Sequence, residues 1–148
     1  MPLTLLSVTL VLAGGLALIN LWLGFRIGQV RHRVGISVGD GGDEALIRRM
    51  RAQANFVENA PFVLALIGII EFTAGTSIWL WSAAALFLVA RVAHALGMDG
   101  GAVKGGRSFG TGVTMLLLLA LGVWAIALPF VADRYARPVV VDVTEGKA

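Results

Sequence analysis

Arg48, Arg51, Asn55 and Glu58 follow one another at steps of three, four and three residues. On an α-helix those steps bring all four side chains onto one face. Gln53 lies off that stripe. Further along, Arg91 and His94 are three residues apart and share a face. Arg107 and Ser108 stand side by side at the end of a glycine-rich stretch, Gly97 to Gly106. These residue types suit recognition of a small anionic or zwitterionic molecule. Arginine offers a planar fork for carboxylates. Asparagine both donates and accepts, and Glu58 can take an ammonium group. A cation and a hydroxyl opening a helix, as Arg107 and Ser108 do, hold an anion with help from the helix dipole. Each residue also has a plainer reading. Arg48, Arg49 and Arg51 can be charged anchors at a membrane surface. Glu58 can pair with Arg51 or Arg91 between helices. His94 can be a packed histidine, and Arg107 a flanking arginine.

The elements that position these groups follow from composition. Of 148 residues, 57% are hydrophobic and 14% charged, against roughly 25% charged in a soluble domain. Mean hydropathy is +0.84. Twelve basic residues against nine acidic ones give a net charge of +3. That balance comes from few charges on an apolar chain and not from a basic stripe, which argues against a nucleic-acid partner. There is no cysteine, so disulfides, thiolate metal sites and a protein-borne thiol nucleophile are excluded. A span needs roughly 20 mostly apolar residues. Leu3 to Phe25 and Ser108 to Ala132 are uncharged runs. The middle block is broken by Gly75-Thr76-Ser77, a turn signal. The pattern predicts spans over about residues 3–25, 44–73, 78–96 and 108–132, with a short C-terminal tail over 133–148. This is an all-α integral membrane protein, a single four-transmembrane-helix bundle over 1–148. Pro129 marks a place where the last helix can end or kink.

Basic residues set the orientation. Arg26, Arg31, Arg33, Arg48, Arg49 and Arg51 fall around the first connection, and Arg91, Lys104 and Arg107 around the third. Those nine of the twelve belong on the cytoplasmic side, with both termini opposite. Ionisable groups inside spans cost about 2.5–3.5 kcal/mol on insertion scales, so those present are functional candidates. The polar groups singled out above gather at the cytoplasmic end. Asn20 and Glu71 lie towards the other end and read as packing or interfacial residues. Gly39-Asp40-Gly41-Gly42 lacks the ending of a phosphate loop and reads as a turn. Asp40, Asp43 and Glu44 do not fit a calcium loop. The Gly24/Gly28 spacing hints at close helix packing. The glycines of 97–106 imply either mobility or close packing.

The stretch Arg51-Ala52-Gln53-Ala54-Asn55-Phe56-Val57-Glu58-Asn59-Ala60-Pro61 resembles the second-helix motif of the MAPEG family, membrane-associated proteins in eicosanoid and glutathione metabolism. Arg91-Val92-Ala93-His94, followed by Arg107-Ser108, is similar to the pattern of its prostaglandin E synthase branch. The Gly39-Asp40-Gly41-Gly42 turn resembles that of bacterial members, which implies a bacterial inner membrane. The resemblance implies a homotrimer of four-helix subunits binding glutathione between neighbours, near the cytoplasmic face. It places Arg51, Gln53, Asn55, Glu58, His94, Arg107 and Ser108 at glutathione-contacting positions. Arg107 falls at the thiolate-stabilising arginine, and Arg26 or Arg31 at a further contact from the first helix. Two departures stand out. Asn59 and Met98 occupy positions where many members carry tyrosine.

Two functions from different classes follow. One is a glutathione-dependent transferase or peroxidase, with glutathione as cosubstrate and a lipophilic electrophile or hydroperoxide arriving through membrane lipid. The other is a non-catalytic member that binds glutathione or a lipid and presents it to a partner. A small transporter fits less well, because the chain lacks an inverted repeat or paired broken helices.

Overall fold

The computed structural model describes residues 6–100 and 103–135. They form four helices, α1 (Ser7–Val34), α2 (Glu44–Ala74), α3 (Ile78–Met98) and α4 (Gly106–Tyr135). All four are long and apolar enough to cross a membrane. The chain is thus an all-helical integral membrane protein with the four-helix architecture its composition predicts. Residues 3–5 of the first predicted span and residues 136–148 of the predicted tail lie outside the described residues.

The inner stripe repeats at steps of three and four. On α1 it is Val8, Leu12, Leu16, Ile19, Leu23, Ile27 and Val30; on α2 it includes Phe56, Ala60, Val63, Ile67 and Ile70. This is the spacing of helices packed side by side along their length. The outer faces are apolar as well: Leu18, Leu21, Phe72, Trp79 and Phe130 all turn outward. Helix pairs α1–α2 and α3–α4 pack most extensively, α2 and α3 also touch, and α1 and α4 are not neighbours among the described residues.

Local chemistry sets the helix limits. α1 does not stop with its uncharged run at Phe25. It continues through Arg26, Arg31 and Arg33 until Gly35, whose φ of 71° takes the left-handed conformation glycine accepts at a helix end. The end of an apolar run marks the end of hydrophobic contact, not of helical hydrogen bonding. Asp43 caps α2 by accepting from Leu46 N at 2.8 Å, and Ser77 caps α3 by accepting from Leu80 N at 3.3 Å. Between α1 and α2, Asp40 accepts from Gly42 N at 3.0 Å, which makes this stretch the expected turn. α4 runs on past Pro129.

Glu71 has the packing role its position suggests, with specific partners. It is buried, and it accepts from Val8 N (2.9 Å), Thr9 N (2.8 Å), Thr9 Oγ1 (2.7 Å) and Thr76 Oγ1 (2.8 Å). The carboxylate therefore closes the N-terminus of α1 from α2, where an anion is favoured by the helix dipole.

Close helix approach occurs elsewhere than at Gly24 and Gly28. A Cβ on Gly28 would meet nothing within 4 Å, and one on Gly24 only Gln53 Nε2 at 3.8 Å. The tight seam is α3–α4. A Cβ on Gly106 would lie 2.5 Å from Ala93 O, and one on Gly110 2.5 Å from Ala90 O and against His94. On α3, a Cβ at Gly97 would strike the backbone N of Arg107. These glycines let the two backbones approach without side chains between them.

Candidate functional site

The face of α2 that carries Arg51, Asn55 and Glu58 meets the ends of α3 and α4 at one cavity of about 280 Å³. α2 supplies Arg51, Ala54, Asn55 and Glu58; α3 supplies His94 and Met98; α4 supplies Arg107 and Thr111. The glycine seam explains how Arg107 comes to face His94. Gly106 and Gly110 set α4 directly on the α3 backbone, and Arg107 and Thr111, one turn apart, lie beside that seam on the cavity wall.

Beneath the cavity lies Arg91, 1% exposed. Its guanidinium donates to Asn55 Oδ1 at 2.8 Å and to Thr114 Oγ1 at 3.2 Å, and lies 3.4 Å from His94 Nδ1. Thr114 donates in turn to Gly110 O at 2.7 Å. Arg91 thus ties α2, α3 and α4 together under the cavity floor. Asn59, one turn further along α2, donates to Asn55 O at 2.7 Å and stays within its own helix.

Among the described residues, no ion pair or hydrogen bond engages the side chains of Arg51, Glu58 or Arg107. Glu58 pairs neither with Arg51 of its own helix nor with Arg91 of α3, which is turned to Asn55. Two guanidinium groups and one carboxylate on an open wall suit a molecule carrying carboxylates and one ammonium group.

Four of the residues that the sequence points to lie elsewhere in the chain. Arg26 is buried against Asp99, with its guanidinium 4.5 Å from the centre of the Trp22 ring. Arg31 donates to Ser37 O at 3.2 Å and Gly39 O at 2.9 Å, holding the α1–α2 connection. Gln53 is on the far side of α2, with Nε2 3.5 Å from Asn20 Oδ1. Ser108 is exposed and outside the cavity lining. Conversely, the fold adds Thr111 and the Arg91–Thr114 link, which the sequence reading missed. The spacing of four from Arg107 places Thr111 on the same face, a signal available in the sequence. Arg91 and Thr114 are 23 residues apart on different helices, and no local pattern joins them.

Compared with known protein families, residues 9–127 match the MAPEG family. The chain belongs to the MAPEG family. The match covers all of α2 and α3 and most of α1 and α4, and so every cavity residue. No curated protein matches the chain. MAPEG proteins are generally associated with glutathione and act in membranes, and this MAPEG protein shares their integral membrane architecture.

Proposed function

We propose that this MAPEG protein is a glutathione-dependent transferase or peroxidase acting on a lipophilic electrophile or hydroperoxide. The observation that carries the reading is the convergence of Arg51, Asn55, Glu58, His94 and Arg107 on one cavity, with Arg51, Glu58 and Arg107 outside every ion pair among the described residues. The donor set fits glutathione, which has two carboxylates, one ammonium group and a thiol. Bound glutathione supplies the sulfur nucleophile that a cysteine-free chain lacks. Glu58 takes the ammonium group, and Arg51 takes a carboxylate. Asn55, held by Arg91, offers its amide to the peptide. Arg107 stabilises negative charge on sulfur, which lowers the thiol pKa. The cavity lies near the lower end of the roughly 300–1,000 Å³ typical of small-molecule sites, consistent with one protomer forming part of the wall.

The test is the ultraviolet thiolate absorbance of glutathione mixed with purified protein. A thiolate signal that disappears in Arg107→Ala supports catalysis. A second reading, binding without chemistry, is favoured by Met98 in the cavity lining and by Asn59 next to Glu58 in the sequence, two positions that carry no phenol. Glutathione binding without a thiolate signal in wild type selects that reading. We further place the α1–α2 and α3–α4 connections on the cytoplasmic side of an inner membrane, because nine of the twelve basic residues flank them. A single cysteine introduced at Gly41 should then react only with reagents on that side, and labelling from the other side would reverse the assignment.

A further inference from the structure

Outside the cavity, one ion cluster joins three helices. Asp99, the residue after α3, receives Arg26 of α1 on Oδ2 and has Arg49 Nε of α2 3.4 Å from Oδ1. Arg49 Nη1 also donates to Arg26 O at 2.6 Å, tying α2 to the α1 backbone. The Arg26 side chain is 8% exposed, its guanidinium stacks on Trp22, and its Nη1 is buried without a partner. Asp99 is the one carboxylate within ion-pair distance of Arg26 or Arg49 among the described residues. Both of its oxygens are used, and a desolvated guanidinium depends on it.

We infer that Asp99 is a positioning residue for Arg107: it clamps α1 and α2 onto the last turn of α3, and that turn is the surface on which α4 begins. The chain of contacts is short. Asp99 is bonded through its backbone N to Leu96 O at 3.3 Å, so the clamp holds the final turn itself. Gly97, inside that turn, backs directly on the start of α4. A Cβ there would meet the backbone N of Arg107 and lie 2.8 Å from the carbonyl carbon of Gly106. With no side chain between the two backbones, a shift of the α3 end passes to Arg107 without being absorbed. Asp99 touches neither the cavity nor Arg107, and acts through Gly97. The role assigned to Arg107 rests on the function proposed above; the mechanical link from Asp99 to the first turn of α4 does not.

The test uses full-length ligand-free protein and amide hydrogen exchange over residues 106–110, in wild type, Asp99→Asn and Asp99→Glu. Losing a charge-assisted contact in Asp99→Asn should speed exchange there roughly tenfold or more. The C-terminal half of α2, remote from the clamp, should exchange as in wild type. Asp99→Glu, which keeps the charge, should restore most of the protection. Wild-type exchange over 106–110 in Asp99→Asn overturns the inference, and so does equal acceleration throughout the bundle, which marks a general staple. Should Asp99→Asn fail to fold, Arg49→Gln removes one of the two partners and should give the same local pattern in weaker form. A second arm titrates the thiol of bound glutathione. Its pKa should rise in Asp99→Asn and return in Asp99→Glu, and an unchanged thiol in Asp99→Asn overturns the positioning of Arg107. A wild type that binds no glutathione defeats the proposed function, while the exchange arm still decides whether Asp99 sets the first turn of α4.

Discussion

At the scale of single residues, the proposed function gives Glu58 the binding of glutathione and Arg107 its activation. Both line the cavity and neither is paired within the protomer among the described residues. Glu58→Gln keeps the shape of the side chain and removes its charge. It should cost a charge-assisted contact to the ammonium group of glutathione, about 1.5–3 kcal/mol, which is roughly tenfold or more in affinity. The thiol pKa of the remaining complex should change little, and so should the melting temperature of ligand-free protein, because no interhelical partner is lost. Calorimetric titration with parallel thermal melts checks both. Unchanged affinity in a folded Glu58→Gln protein would remove Glu58 from the site. The helical spacing of Arg51, Asn55 and Glu58 makes this much of the site legible in the sequence, because residues three and four apart must share a face. What spacing leaves open is the partner of each charge. Spacing does not say whether Glu58 pairs with Arg51 of its own helix or Arg91 of another, and only the placement of α3 turns Arg91 to Asn55 and Thr114.

At the scale of helices, the number of elements is legible in the sequence and their contacts are not. Four uncharged or nearly uncharged stretches separated by turns and arginines indicate four spans. Inside a span, however, inward and outward faces are equally apolar, as Leu16 inside and Leu18 outside on α1 illustrate. Hydrophobic periodicity, which reveals the buried face of a soluble helix, carries little information here. The inner residues are distinguished by fit, and fit is a property of two helices together. Gly24 and Gly28 have the same spacing as Gly106 and Gly110, yet only the second pair faces a backbone. Gly110→Ala makes this measurable. Its Cβ would lie 2.5 Å from Ala90 O and press on His94, and backbone cannot yield as a flexible side chain does. The substitution should destabilise the protein by about 1–3 kcal/mol through overpacking and separate Arg107 from the α2 wall. Gly28→Ala, which meets nothing within 4 Å, should be neutral or slightly stabilising, since alanine is the better helix former. Thermal melts in one detergent compare the two directly. Equal effects would mean that the α3–α4 seam is looser than its backbone separation implies.

At the scale of the whole molecule, α2 presents polar residues on two nearly opposite faces. One face carries Arg51, Asn55 and Glu58 into the cavity; the other carries Gln53, close to Asn20 of α1. Asn20 is turned outward on α1 in a helix long enough to span the membrane, beside an apolar groove of about 300 Å³ between α1 and α2. Lipid offers no partner for an exposed amide, so such groups belong against protein. A second copy is the simplest cover. Because the two polar faces differ, the contact joins unlike surfaces, and unlike surfaces generate a closed ring when the rotation between copies closes. The resemblance in the second-helix motif implies three copies. We therefore expect a homotrimer in mild detergent, with each glutathione held by the cavity of one copy and Gln53 of the next. Native mass measurement tests the number. Co-assembly tests the sharing. Arg107→Ala and Gln53→Ala chains should each bind or activate glutathione poorly alone. Mixed at random in equal amounts, they should recover about a quarter of the sites, those pairing an intact cavity with an intact neighbour. A monomer that binds glutathione normally would overturn the shared site. A mixture no better than its two parents would overturn the sharing even if the particle is a trimer, since every complete site would then lie within one chain.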